Sequence, residues 1–413
     1  MKISFLAPNI GGPSLGFATA YARALAKSHS VQVIGPDLWG TGVMPMYRGS
    51  FDYTVVPAPR LYRFPDFIWE SERLSRAATG DVIFAVKAVP QTVWVALREK
   101  RRRGCKVVVC LDEWDGALMA RRTPAERRAY WRRHWRHPLE ANYYPWVERR
   151  LFRADLILST STFLQRKFGG MVVRMGVDTD RFQPPSPGQK AAIRSRLGLS
   201  ERHRVIVFGG VVRPHKGVEL ILEAVARTGN PDFRLLVIGP VTDTLTGFLN
   251  GPHGRFIVAA GAKPAVEMNQ WLGAGDLTVL PMADDLLARS QVPCKVFEAM
   301  AVGLPVLAGA VSDLPEIVEG AGETFEPGDA EELRKRLMSL WNDPGRMQAW
   351  GREARRKCTE RFSLSAMERG LAAALESIAE GSGGPADRSA AGPAHGAAMS
   401  SRSLSGESGC PPA

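Results

Sequence analysis

Cysteine is scarce and scattered. The five residues (Cys105, Cys110, Cys294, Cys358, Cys410) are odd in number and include no C-x2-C pair. This argues against a disulfide framework or a structural zinc site and fits a reduced, cytoplasmic chain. Long apolar runs are also missing. The longest, VFEAMAVGLPVLAGAV, is interrupted by Glu298 and Pro305, which excludes a transmembrane helix. The opening MKISFLAPNIGG loses its apolar character at Pro8 and Asn9, too early for a secretory signal, and reads as a first β-strand. No G-x-G-x-x-G occurs in the first turn, where Pro13 follows Gly12, so NAD binding is poorly supported. No nucleic-acid-binding motif is found, and nucleic acid is not an expected partner; no Walker A motif occurs either, so no phosphate loop names its ligand by itself.

The composition is that of a globular protein of two or three domains: 413 residues, 45% hydrophobic and 23% charged. Fifty-four Lys and Arg against 42 Asp and Glu give a net charge of +12. Much of it is local. Residues 98–153 hold 16 Lys and Arg against 7 Asp and Glu, a net +9. Such a patch attracts anionic lipid, nucleic acid or an anionic substrate, or is simply a solvated helical face. Within it, RRAYWRRHWRHPLEANYYPWVERRLF (127–152) interleaves Trp, Tyr and Arg, a pattern suited to reversible contact with an anionic membrane surface. His134 and His137 read as surface or packing residues rather than ligands.

Short Val/Ile/Leu runs alternate with helical patterns along most of the chain. KISFLA, VQVIGP, DVIFAV, KVVVCLD and ADLILSTS read as strands of a first parallel sheet covered on both faces. A Pro/Gly/Ser-rich stretch at 176–188 marks a linker. HRVIVFGG, FRLLVIGP, RFIVAAG, DLTVLPM and PVLAGAV form a second series, and Asp329 with Glu332 opens a capped helix. The expected division is 1–185 and 186–361, two Rossmann-like domains, with a last helix at 362–380. Residues 381–413 contain 25 Gly, Ser, Ala and Pro among 33 residues and are expected to lack a packed core.

Four segments carry candidate chemistry. In GGVVRPHKGVELILEA (209–224) a strand ends at Gly209–Gly210, a loop carries Arg213 and Lys216, and a helix follows. That is a cradle for a diphosphate, or an ordinary strand-to-helix loop with surface charges. In SQVPCKVFEAMAVG (290–303), Lys295 and Glu298 share one helical face; a buried carboxylate there suits ribose hydroxyls, or the two form a capping ion pair. The first turn, PNIGGPSLGFA (8–18), has Gly11, Gly12 and Gly16 for close backbone approach. CLDEWDG (110–116) places Asp112, Glu113 and Asp115 after a buried strand, where open α/β sheets bind ligands; these acids would position acceptor hydroxyls or act as a base. The loop has no D-x-D pair or histidine cluster, so no metal is expected there.

In order and spacing these pieces resemble the retaining family 4 glycosyltransferases with the GT-B fold. The likeness runs to about Glu380 and is strongest from Gly209 to Glu319. It rests on the Gly-rich first loop, ADLILSTS, GVDTDRFQP, RPHKGVELILEA, LLVIGP, FIVAAG, DLTVLP and KVFEAMAVGLPVLAG…LPEIVE. It implies transfer of a sugar from a nucleotide-sugar donor, with retention at the anomeric carbon and without a further cofactor. The acceptor is left unidentified: a glycan, a lipid-linked molecule or a small molecule. Arg213 and Lys216 would stabilise the departing diphosphate, with Asp112 the third catalytic candidate. Gly12, Gly210, Lys295 and Glu298 would bind substrate. Glu298 matches the second glutamate of the family's E-x7-E element; the first falls at Ser290, also assigned to substrate. The family's frequent arginine falls at Val211, with Arg213 nearby, and its frequent histidine at Leu111, beside Asp112. The departure at Ser290 keeps two alternatives: a non-catalytic or partner-dependent subunit, and a nucleotide-sugar epimerase.

Overall fold

The computed structural model describes residues 1–213 and 216–381; the expectation for the tail lies outside them apart from Gly381. The first sheet has seven parallel strands: β1 (Lys2–Leu6), β2 (Ser30–Asp37), β3 (Tyr53–Pro57), β4 (Val82–Val86), β5 (Lys106–Leu111), β6 (Leu156–Ser159) and β7 (Met171–Val172). Their order is 3-2-1-4-5-6-7. The second has six: β8 (Arg204–Gly209), β9 (Phe233–Ile238), β10 (Ile257–Ala259), β11 (Leu277–Leu280), β12 (Val306–Gly309) and β13 (Gly322–Phe325), ordered 10-9-8-11-12-13. Every residue of β4, β11 and β12 is buried, as continuous apolar strands require when helices cover both faces. This is the GT-B arrangement of two Rossmann-like domains.

The strands foreseen from the apolar runs all form. Three others, β3, β7 and β13, carried no such run. All three are sheet edges, where one flank is open and a short, partly polar strand suffices. The helix Ala330–Trp341 is capped by Asp329, which accepts from the Glu332 N–H at 2.8 Å. The Glu332 carboxylate turns instead to the Glu326 N–H, at 2.7 Å.

The last helix, Leu364–Ala379, crosses back to the first domain. Met367, Leu371, Ala374, Leu375 and Ile378 are buried in the same core as Ile3, Phe5, Phe17 and Tyr21. Lys27, just past the end of the helix Leu15–Leu25, pairs with Glu368. Backbone bonds between Val177 and the Phe362–Leu364 segment tie the linker to this crossover.

Across the cleft the domains are joined by polar contacts that no apolar pattern announces. The Thr162 N–H and hydroxyl both donate to Asp313, at 2.9 and 2.5 Å, and Arg174 pairs with the same carboxylate at 2.9 Å. Asp313 is 5% exposed. Arg121 reaches Asp285 at 2.6 Å.

Candidate functional site

The cleft lies where the carboxyl ends of both sheets meet. On its C-terminal side, β8 ends at Gly209–Gly210, and the helix Val218–Arg227 begins after Gly217. Gly210 has φ +109°, and a Cβ there would lie 2.8 Å from the Lys295 ammonium. Gly217 has φ +69°, and a Cβ would lie 2.5 Å from the Pro281 carbonyl at the end of β11. Both positions need glycine for conformation, and Gly217 also for its close approach to the Pro281 backbone. The result is a helix N-terminus, with its unpaired N–H groups and positive dipole, opening beside three cations: Arg213, Lys216 and Lys295.

Among the described residues, none of the three closes an ion pair with a carboxylate. Lys295 is pulled down to about 8, first by burial and then by the neighbouring Lys216, against a smaller opposing pull from Glu298. Its ammonium stands 4.5 Å from the Phe208 ring centroid. Lys216 is lowered by burial and by Arg213. Like charges crowded in a half-buried pocket are costly unless an anion joins them. A cavity of about 290 Å³ opens here, lined by Phe208, Lys216, Pro281, Asp285 and Lys295 among others. Glu298 lies one helical turn from Lys295, on Lys295–Ala301. Burial raises its carboxyl, while Lys295 and Arg181 pull it back. The alternative of a tight Lys295–Glu298 ion pair is not what forms, so the carboxylate is available to ligand hydroxyls.

A second cavity, about 360 Å³, adjoins the first through the shared residues Gln291 and Pro293. It is walled by Pro13, Gly16, Tyr47, Asp112, Glu113 and Thr160 from the first domain and by Cys294 and Phe297 from the second. Gly16 serves packing: a Cβ would collide with the Tyr47 hydroxyl, which this glycine admits to the cavity wall. Gly12 lies within the same turn, its N–H on the Asn9 carbonyl at 3.3 Å, and it does not line the cavity.

The three acids after β5 converge on one lysine. Lys87 Nζ lies 2.5 Å from Glu113 and 3.3 Å from each of Asp112 and Asp115. Lys87 follows β4 with φ +67°, uncommon outside glycine, and its N–H bonds to the Cys110 carbonyl at 2.8 Å. The three carboxylates outweigh its burial and hold it protonated. Burial raises Asp112, and raises Asp115 to about 6, against the pull of Lys87. Asp112 Oδ1 and Asp115 Oδ2 make no hydrogen bond among the described residues. Lys87 escaped the sequence reading; a lone lysine after an apolar strand gives no motif. Tyr47 also escaped, because its place depends on Gly16 from a distant turn.

Ser290 requires a correction. It is fully buried, and its hydroxyl accepts from the Trp114 N–H at 2.9 Å and donates to the Leu287 carbonyl at 2.8 Å. Its own carbonyl accepts from the Ser161 hydroxyl at 2.6 Å. In this arrangement it joins the domains and lines neither part of the cleft. The remaining predicted residues are brought to one cleft, in two groups: Arg213, Lys216, Gly210, Lys295 and Glu298 on one wall, Asp112 and the Gly12 turn on the other.

Residues 202–343 match the family described as glycosyl transferases group 1. A D-inositol 3-phosphate glycosyltransferase of Segniliparus rotundus is 31% identical over 225 residues, 51% of this chain and 47% of that protein. A GDP-mannose-dependent monoacylated alpha-(1-6)-phosphatidylinositol monomannoside mannosyltransferase of Corynebacterium glutamicum is 29% identical over 208 residues, 49% of this chain and 55% of that protein. The chain thus spans about half the length of these curated relatives. The solved structure of Anabaena Alr3699/HepE in complex with UDP superposes with a TM-score of 0.70 at 19% identity, covering 91% of this chain and all of that one. The matched segment is the one that holds the cationic wall, and the likeness of fold extends over both sheets. Over residues 202–343 the chain is thus similar to the glycosyl transferases group 1, and its fold is GT-B.

Proposed function

We propose that the protein transfers a glycosyl group from a nucleotide-sugar to an acceptor hydroxyl, with retention at the anomeric carbon. The observation that carries this reading is the unpartnered cation set Arg213, Lys216 and Lys295 at the N-terminus of the helix Val218–Arg227. The diphosphate seats there; two phosphates offset the burial and the neighbouring positive charge that lower both lysines. Glu298 accepts from ribose hydroxyls. As the bond to the anomeric carbon breaks, charge grows on the departing diphosphate, and the preformed cations and helix dipole stabilise it. The acceptor hydroxyl enters from the side of Asp112, Glu113 and Tyr47. Asp112 takes its proton, with Lys87 fixing the carboxylates. In this reading cations neutralise the diphosphate, so activity is expected to survive exhaustive EDTA treatment; loss restored by Mg or Mn would overturn that part of the mechanism. Nucleotide-sugar hydrolysis by the purified chain tests the reading as a whole.

A second reading, a partner-dependent or non-catalytic subunit, is favoured by one observation. The position of the missing family glutamate is occupied by Ser290, which is consumed by the domain contact. A chain that binds nucleotide but neither hydrolyses nor transfers the sugar would support it. Release of an epimer or free sugar without any acceptor would point to epimerase chemistry.

We further propose that the acceptor is met at an anionic membrane surface. Rings run without a break across the first domain, from Trp39 to Tyr62, His137, His134 and Tyr130, with centroids 4.3–6.2 Å apart. Trp39 is 67% exposed and Trp135 53%. The helix Pro124–His134 buries none of its residues and carries five arginines and histidines. Aromatic rings beside arginines suit the interfacial region of a bilayer.

A further inference from the structure

A cavity of about 570 Å³ lies behind the acid loop, outside both parts of the cleft. Its walls are Trp114, Met119, Trp131, Asn142 and Glu148, with Arg128 and Arg132 among the residues that edge it. We propose that it recognises a saccharide bearing an anionic group, the portion of the acceptor beyond the hydroxyl that reacts. This rests on the glycosyl-transfer reading for its role but not for its ligand.

Four observations converge. Asn142 is 8% exposed, and neither its amide oxygen nor its amide nitrogen finds a partner among the described residues. An amide left so is costly and presents both donor and acceptor, the pair that sugar hydroxyls match. A hydrocarbon chain in the same space would leave it unpaired. Trp114 and Trp131 supply aromatic surface for the apolar face of a pyranose. Glu148 accepts from the Trp114 indole N–H at 2.8 Å, which fixes that ring, and Gly116 leaves room for its carboxylate. Arg128 and Arg132 are exposed and close no ion pair or hydrogen bond among the described residues, whereas Arg127 is spent on the carbonyls of Met119 and Ala120. Two uncommitted guanidiniums select an anionic substituent, carboxylate or phosphate. The volume suits a small ligand.

The place fits an acceptor. Trp114 stands between Glu113 and Asp115, both on Lys87, and its own N–H is held by Ser290. Arg121, next to Ala120 of this cavity, lines the donor-side cavity. One loop separates the two spaces.

The test is binding by the intact chain, without nucleotide, to an array of neutral, uronate-bearing and phosphate-bearing oligosaccharides, followed by titration of the members retained. Anionic members should bind and neutral counterparts should bind at least 10-fold more weakly; the uronate and phosphate arms tell which anion is read. Asn142→Leu should weaken binding at least 10-fold while melting at or above the wild-type temperature, because an unpaired amide has been removed. Arg132→Glu should weaken only the anionic members. Absence of any binding, or equal binding by Asn142→Leu, overturns the proposal. Wild-type nucleotide affinity, measured in parallel, keeps the two readings apart: its loss would sink glycosyl transfer and leave the saccharide site standing.

Discussion

The Trp114 backbone N–H donates to the Ser290 hydroxyl at 2.9 Å, linking the acid loop of one domain to the end of the short helix Leu286–Ser290, which precedes the Glu298 helix of the other. The two walls of the cleft are therefore held together by a hydrogen bond, supported by Asp313 with Thr162 and Arg174. Closure of this kind excludes water and completes the site.

Asp313→Ala removes the acceptor for two Thr162 donors and the nearer partner of Arg174, which is 12% exposed at its side chain and is left with Glu316 at 3.8 Å. Breaking one side of a buried pair costs about 3–5 kcal/mol when the other charge stays buried. Here the domains can part and rehydrate Arg174 instead. The expected result is a larger radius of gyration in small-angle scattering and a raised KM, with both sheets intact by circular dichroism. An unchanged radius and KM would show that closure does not depend on this contact.

The pH dependence follows from Lys295. Its folded pKa, about 8, is below its ordinary 10.5, so between these values the unfolded chain binds more protons. Stability of the free protein gains from this group as pH rises from about 8 to 10.5. Diphosphate affinity has the opposite sign: it needs the ammonium and declines as pH climbs through about 8. Nucleoside diphosphate titrations from pH 6.5 to about 9.5, spanning this region, should show that decline, and Lys295→Met should flatten it. A flat wild-type profile would separate Lys295 from the phosphates.

Truncation after Arg361 removes Met367, Leu371, Ala374, Leu375 and Ile378 from the core of the first domain. Each buried aliphatic side chain contributes about 1.5–3 kcal/mol. The shortened chain should melt far below one ending at Gly381 or fail to fold, whereas removing residues 382–413 should leave melting and activity unchanged. Equal melting temperatures for the two truncations would contradict the crossover account.

Vesicle sedimentation tests the membrane face. Binding should favour vesicles containing anionic phospholipid over neutral phosphatidylcholine and fall as salt is raised, because screening acts over about 8–10 Å near physiological ionic strength. Trp135→Ala with Trp39→Ala should weaken it several-fold. Indifference to lipid charge would return residues 98–153 to the status of a solvated surface and favour an acceptor in solution.

Much of the frame was legible because buried parallel strands must be apolar throughout, and β1, β4, β5, β8 and β9 announce themselves in that way. The edge strands β3, β7 and β13 did not, since an edge needs little burial. The cationic wall was legible because glycine, lysine and helix start lie within a few residues of one another. The other wall was only half legible. Asp112, Glu113 and Asp115 were local, but Lys87 comes from the neighbouring strand and Tyr47 from a loop reaching across Gly16. Ser290 was placed by its spacing to Glu298; what took up its hydroxyl was Trp114, 176 positions away. Such partners are decided by the packing of two domains, which no short pattern encodes.

The central claim is that the unpartnered cations and Glu298 form a nucleotide site. Calorimetric titration of the intact protein with UDP, GDP, ADP and dTDP tests it most directly. One nucleotide should bind clearly better than the others. Lys216→Ala and Glu298→Ala should each weaken it by about 1.5–3 kcal/mol, the range for hydrogen bonds to charged groups, with melting curves unchanged. No binding by any of the four, or wild-type affinity in both variants, would contradict the account.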